Sequence, residues 1–150
     1  MMNTSGLILA VHVICTTLGY GGLICSNIWL AVMLPSTERR DALVHASLLM
    51  NRTFGPLLGI GVLLGFWVMK IMGFQVASPW LIIAYIVVAL ALVIQFAVAI
   101  PWQIRALRAI SSGNASTSMP NPRTPSLVAT AFIITFVLLI LLMVTRPYSL

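Results

Sequence analysis

Charged side chains divide the sequence into four long apolar stretches. No charged residue occurs in the ranges 1–37, 53–69, 71–104 and 124–145. Each range can hold a helix of roughly 20 residues, the length that the hydrocarbon core of a bilayer requires. The pattern therefore predicts an all-α fold, a four-transmembrane-helix bundle in which residues 1–150 form a single domain.

The breaks between the stretches set the expected limits of the helices. We expect spans at about 6–34, 53–74, 79–104 and 125–146. Pro35 ends the first helix, and the amphipathic pattern after it predicts a second helix that begins outside the membrane. Residues 111–125 are rich in Ser, Asn and Pro and form the expected linker.

Composition excludes a water-soluble domain. Hydrophobic residues make up 61% of the chain and charged residues 7%, which is too little polar surface for a soluble protein of this size. The net charge is +6, but the basic residues lie at the ends of apolar stretches and form no single patch. We therefore expect the chain to contact a lipid bilayer and not nucleic acid.

The basic residues also predict the orientation of the chain. The first and third connections contain six of them: Arg39, Arg40, Arg52, Arg105, Arg108 and Arg123. Only Lys70 and Arg146 lie elsewhere. By the positive-inside rule the two Arg-rich connections are cytoplasmic, so both termini lie outside and the second helix extends into the cytoplasm. The expected location is the bacterial cytoplasmic membrane.

Small residues at helical spacing mark the surfaces where helices are expected to pack. On the second helix, Gly55 and Gly59 form one pair and Gly61 and Gly65 another, and the pairs face different directions. We expect this helix to contact two neighbours, within the bundle or in a partner chain. Similar stripes on the first and third helices include Gly19, Gly22 and Gln95. The bulky fourth helix is expected to be an outer, lipid-facing member.

His12 is the one ionisable side chain that lies clearly within a span, which makes it the candidate functional residue. By helix rise it lies level with Tyr85 and Gly65. One interpretation is a neutral His that hydrogen-bonds to Tyr85 or to a backbone carbonyl. The other is a ligand to haem or another tetrapyrrole, whose ring would lie beside Gly65, or to copper together with Cys15 one turn away.

The sequence contains no recognisable catalytic motif. No acidic residue lies in a span, and no Ser-His-Asp set, phosphate loop or paired carboxylate is present. The only other histidine, His45, lies in the extension of the second helix, so one chain cannot supply two His ligands to a haem. The sequence favours a protein without catalytic activity.

Four segments carry a resemblance to a known group of proteins. They are HVICTTLGYGG from His12, FGPLLGIGVLLGFWVM from Phe54, IPWQIRALRAI from Ile100 and LLMVTRP from Leu141. They resemble small bacterial four-helix proteins known only as predicted integral membrane proteins of unknown function. That group is distantly similar to the copper-resistance D proteins and the membrane-bound protoporphyrinogen oxidases. The resemblance implies that His12 is a candidate haem or copper position.

Two functional hypotheses follow from the sequence. The first is a non-catalytic integral membrane subunit that packs into a larger respiratory or photosynthetic assembly, through the two glycine faces of the second helix. The alternative is a membrane redox protein that binds a b-type haem, another tetrapyrrole or copper at His12.

Overall fold

The computed structural model describes residues 4–75, 77–112 and 119–145. Within these ranges the chain forms four long helices and no strand: α1 is Thr4–Met33, α2 is Arg40–Ile71, α3 is Pro79–Ser111 and α4 is Thr124–Val144. Each is long and apolar enough to cross a membrane, which confirms the prediction of an all-α, four-span protein. Arg146 and the linker residues 113–118 lie outside the described residues.

The four helices alternate in direction and close into a ring. α1 packs along α2 and also contacts α4. α3 contacts α4 through its first part, Pro79–Val93, and α2 through its last part, Ile100–Ser111. The backbones of α2 and Pro79–Val93 approach each other much less closely, and only side chains such as Phe66 and Tyr85 connect them there.

The fourth helix is not simply a lipid-facing outer member, as its sequence suggested. α4 packs against both α1 and α3, and one of its faces is buried. That face consists of Val128, Ala129, Phe132, Thr135 and Leu139. A helix that is apolar all round gives no periodic signal for its buried face, so the pattern could not reveal this packing.

Two apolar clusters hold the bundle together. The first includes residues of all four helices, among them Tyr20, Leu58, Val87 and Phe132. The second joins one end of α1, α2 and α3, and its buried members are Leu30, Leu34, Leu43, Val44, Trp102 and Ala106. We call this end the basic end, because it carries Arg39, Arg40, Arg52, Arg105, Arg108 and Arg123.

The basic end extends beyond the thickness of a bilayer. At 1.5 Å per residue α4 is about 32 Å long, close to the hydrocarbon core, whereas α1 and α3 are about 45 to 50 Å long. The Trp102 indole N–H donates to the Asn121 carbonyl at 2.8 Å, which fixes the start of α4 beside this part of α3. Residues of α3 beyond Trp102 therefore project from the membrane together with the start of α2.

α3 contains a π-helical segment, Ile94–Ala99. Its position is explained by Pro101, which has no N–H and whose ring would collide with the Ala97 carbonyl in a regular α-helix. The Ile100 N–H bonds to the Gln95 carbonyl, five residues back. The wider turn changes which way the rest of α3 faces, and so the helix contacts α4 before the segment and α2 after it.

Candidate functional site

His12 lies on the face of α1 that packs against α2 and is 9% exposed. Its Nδ1 is 2.6 Å from the Gly61 carbonyl oxygen. The imidazole lies over Gly65, where an added Cβ would come within 2.9 Å of His12 Cε1. α2 can therefore receive the ring at this place only because position 65 has no side chain.

The site lies within the expected spans. Gly61 is midway between Arg52 and Lys70, the charges that limit the apolar part of α2, and is about 13 to 14 Å from each along the helix axis. His12 is about 9 Å from the start of the expected first span, inside the apolar region where an unpaired polar group would be costly. The Gly61 carbonyl satisfies one of its two ring nitrogens.

The hydrogen bond also determines the tautomer of the ring. A carbonyl oxygen can only accept, so His12 Nδ1 carries the proton and donates it to Gly61. In a neutral imidazole the lone pair then lies on Nε2. No hydrogen bond to Nε2 forms within the part of the chain that the structure describes. Metal-binding histidines commonly use this arrangement, in which one nitrogen is fixed by a carbonyl and the other is available.

The other residues predicted for a cofactor site do not converge on His12. The Tyr85 hydroxyl donates to Met69 Sδ at 3.1 Å, and its ring stacks on Phe66 with centroids 5.3 Å apart. The space beside Gly65 is filled by the His12 ring itself. Cys15 is a half-buried free thiol. Among the described residues no group of three His, Cys, Asp or Glu side chains could hold a metal ion.

The predicted packing glycines fall into two groups. Gly19, Gly22, Gly61 and Gly65 lie in the contact between α1 and α2, where an added Cβ would collide with Leu58, Phe54, Thr16 and His12 respectively. At Gly55 and Gly59 an added Cβ would meet no atom within 4 Å. The first group permits close approach of two helices, and the second faces open space.

A buried polar network links three helices at the basic end. The Ser26 and Ser47 hydroxyls are 2.6 Å apart, Gln103 Nε2 donates to Ser47 Oγ at 2.9 Å, and Asn51 Nδ2 donates to Gln103 Oε1 at 2.8 Å. All four side chains are at most 3% exposed. Ser47, Asn51 and Gln103 were not singled out from the sequence as packing residues. The i,i+4 spacing of Ser47 and Asn51, in line with Phe54 and Leu58, is a signal that could have found them.

Gln95 has a different environment. It is 2% exposed, and neither its Oε1 nor its Nε2 has a hydrogen-bond partner among the described residues. The Tyr20 hydroxyl is also buried, while its ring packs edge-on against Phe132. Gln95 is therefore a candidate packing residue whose buried amide forms no hydrogen bond within the described chain and so lowers the stability of the fold.

A groove runs along the outside of the basic end, first on the surface of α2 alone and then between the start of α2 and the end of α3. It consists of two adjoining depressions of 320 and 410 Å³ that share His45. The first is also lined by Ala46, Leu48, Leu49 and Arg52, and the second by Asp41, Leu107, Arg108, Ile110 and Ser111. We call it the α2–α3 groove.

These features define a polytopic helical membrane protein with a buried histidine inside an apolar stretch. Residues 6–147 match a family described as predicted integral membrane protein (DUF2269), and the chain belongs to this family. This confirms the expected membership in a family of membrane proteins of unknown function. No curated protein and no solved structure matches the chain. A similarity to copper-resistance D proteins is not shown.

Proposed function

We propose that this protein is a non-catalytic membrane subunit that packs into a larger membrane assembly through an uncovered glycine face of α2. The observation that carries the proposal is the open space beside Gly55 and Gly59, where an added Cβ would meet nothing within 4 Å. The two residues are one helical turn apart, which is the spacing at which small residues let a second helix approach closely.

The same helix shows what such a pair does when it is covered. At Gly61 an added Cβ would lie 2.6 Å from Thr16 Cγ2 and 2.9 Å from the Thr16 backbone nitrogen. α1 therefore approaches the backbone of α2 at this place. Gly55 and Gly59 present the same kind of surface, and no helix in the described part of the chain lies against it.

An uncovered glycine is unfavourable within a helix. In a helix interior each Gly costs about 1 kcal/mol relative to Ala, because of its backbone freedom. Lipid tails do not offset this cost, since they pack against Ala or Leu as well as they pack against Gly. Close contact with a second helix does offset it, through the van der Waals contacts between the two helices. A partner helix is therefore the favoured covering of Gly55 and Gly59.

The proposed assembly lies in the bacterial cytoplasmic membrane and is respiratory or photosynthetic. The proposed orientation has both termini outside, supported by the concentration of Arg residues at the basic end. With no acidic residue in an apolar stretch, the chain has no evident proton or ion path of its own.

Purification in mild detergent tests the proposal. Light scattering and mass spectrometry of the purified material should show a wild-type particle that contains another chain or a second copy. The double variant Gly55→Leu with Gly59→Leu should lose that association, because two isobutyl groups would fill the open face.

The matched control is Gly6→Leu with Gly21→Leu. Those glycines lie on α1, and an added Cβ at either would also meet nothing within 4 Å. The control should keep the association. A wild-type protein that is only monomeric, or equal loss of association in both double variants, would overturn the proposal.

A second candidate function is a tetrapyrrole or copper site at His12, favoured by the hydrogen bond that leaves Nε2 available. The described residues contain no group of three such ligands, so the candidate requires a second chain or an open metal position. An optical spectrum and metal analysis of the wild type and of His12→Ala test it. A Soret band or bound copper that disappears in the variant would support the candidate, and a wild type with neither would remove it.

A further inference from the structure

We propose that the α2–α3 groove binds the headgroup of an anionic phospholipid, with Arg52 and Arg108 contacting the phosphate. The inference rests on the basic end alone and is independent of the glycine face and of His12.

The groove lies at the level of the lipid headgroups. On α2 its lining ends at Arg52, and the charge-free stretch begins at the next residue. On α3 its lining begins at Leu107, just after the stretch that Arg105 ends. Gln103 bonds to Asn51, so the α3 lining begins about 6 Å farther from the apolar part of the bundle than Arg52. The groove therefore extends outward from the edge of the apolar part, the region where phosphate groups are found.

The charges of the groove are complementary to a phosphate. Arg52 and Arg108 are both exposed, and neither forms an ion pair within the described residues. Guanidinium groups bind phosphate oxygens through paired hydrogen bonds. His45 lies between them because it lines both depressions. Each depression of the groove is thus lined by one arginine, Arg52 in the first and Arg108, together with Asp41, in the second.

The apolar and polar walls indicate a lipid and not a free anion. Leu48 and Leu49 line the depression nearer the membrane, and Leu49 is 66% exposed. Such a surface suits the glycerol and upper acyl region of a lipid. Asp41 and Ser111 line the other depression, where a carboxylate can accept hydrogen bonds from headgroup hydroxyls. Phosphatidylglycerol has this combination of a phosphate and a hydroxylated headgroup.

Asp41 is the one group in the groove that opposes an anion. It lies about 16 Å from Arg52 along the axis of α2, in the depression farther from the membrane. Asp41 is also one turn from His45 and lines the same depression as Arg108. The phosphate is therefore placed at the Arg52 side of His45, toward which Arg108 extends, and Asp41 meets the hydroxyl groups of the outer part of the headgroup. The depressions, of 320 and 410 Å³, fall within the size range of small-molecule sites.

Native mass spectrometry of the full-length protein, released from detergent with added phosphatidylglycerol, tests the proposal. The double variant Arg52→Gln with Arg108→Gln should bind phosphatidylglycerol about 10- to 30-fold more weakly, as expected for the loss of two cationic contacts. The matched control is Arg105→Gln with Arg123→Gln, which removes the same charge from exposed residues of the basic end that do not line the groove. It should bind within about twofold of the wild type.

Two further probes define the ligand. Phosphatidylethanolamine should bind more weakly than phosphatidylglycerol, and millimolar inorganic phosphate should not displace the lipid. Equal weakening by both double variants would show a diffuse charge effect and overturn the proposal, as would equal binding of the two lipids or displacement by phosphate. Circular dichroism of each variant checks that the helices are retained.

Discussion

At the scale of single residues, identical side chains in α3 have opposite roles. Gln95 and Gln103 are both at most 2% exposed. Gln103 donates to Ser47 and accepts from Asn51, and so connects α2 to α3. Gln95 has no hydrogen-bond partner among the described residues. A buried amide contributes to stability only when its hydrogen bonds are made, because burial removes those it had with water.

We therefore expect substitutions by Met, an unbranched apolar side chain of similar size, to change stability in opposite directions. Gln103→Met should lower the free energy of unfolding by about 1–3 kcal/mol, since it leaves Ser47 and Asn51 without their partner. Gln95→Met should raise it by about 1 kcal/mol, since it removes an unpaired polar group.

The difference in the free energy of unfolding is measured by titrating both variants, in mixed micelles, with a denaturing detergent. The two variants control for each other because they make the same chemical change in the same helix. A loss of stability at Gln95 as large as that at Gln103 would show that the Gln95 amide is hydrogen-bonded in the membrane, for example to a buried water.

Single residues also show that the spacing of small residues in a sequence does not predict which of them contact another helix. The two glycine pairs of α2 have the same spacing and the same chemistry, yet Gly61 and Gly65 pack against α1 while Gly55 and Gly59 do not. The level of His12 beside Gly65 followed from counting residues, but its acceptor did not. A count gives the level of a side chain along the bundle, and only the packing of α1 on α2 selects the Gly61 carbonyl.

At the scale of helices, the register between α1 and α2 follows from small side chains. Contacts of Thr16 with Gly61, Gly19 with Leu58 and Gly22 with Phe54 run antiparallel along the two helices. The same register brings the hydroxyls of Ser26 and Ser47 to 2.6 Å at the basic end. A shift by one residue would place side chains where the glycines now permit contact.

This register predicts a cross-link. In a background with Cys15→Ser and Cys25→Ser, the pair Ser26→Cys with Ser47→Cys should form a disulfide on mild oxidation, since the two side-chain oxygens are already in contact. Disulfide formation is measured with a thiol-reactive reagent, which should fail to label the oxidised protein. Ser26→Cys with Leu49→Cys is the control, because Leu49 is exposed. Efficient disulfide formation in the control pair as well would contradict the register.

The sequence predicted that four helices exist more readily than it predicted which helices contact each other. Long charge-free stretches suffice to predict spans, because the bilayer requires a fixed length of apolar helix. Which helices touch depends on local events such as the π-helical segment at Ile94–Ala99, which charge and hydropathy do not encode. The polar network at the basic end was missed in part because Ser47 and Asn51 lie outside the apolar stretches that define the spans, although Ser26 and Gln103 lie inside them.

At the scale of the whole molecule, charge is distributed unevenly between the two ends of the bundle. Of the basic residues that the structure describes, only Lys70 lies away from the basic end. The positive-inside rule then predicts that the basic end and the linker face the cytoplasm and that both termini face outward. This orientation decides which leaflet supplies the lipid proposed for the α2–α3 groove.

Reporter fusions test the orientation. Alkaline phosphatase fused to the C-terminus in a bacterial host should be active, because the enzyme folds in the oxidising periplasm, while a fluorescent protein fused there should stay dark. The same reporters fused after Ser112 should give the reverse pattern. A fluorescent C-terminal fusion combined with an active phosphatase after Ser112 would invert the orientation and place the basic end outside.

The π-helical segment makes the length of α3 matter as much as its composition. The segment holds one residue more than the same length of regular α-helix, so deleting one residue between Val93 and Pro101 would let it close to an α-helix and leave Gln103 in its place. Inserting one residue there would instead move every later residue forward by one place, and Arg105 would occupy the position of Ala106, which is fully buried. The basic end should therefore tolerate a one-residue deletion in this segment better than a one-residue insertion.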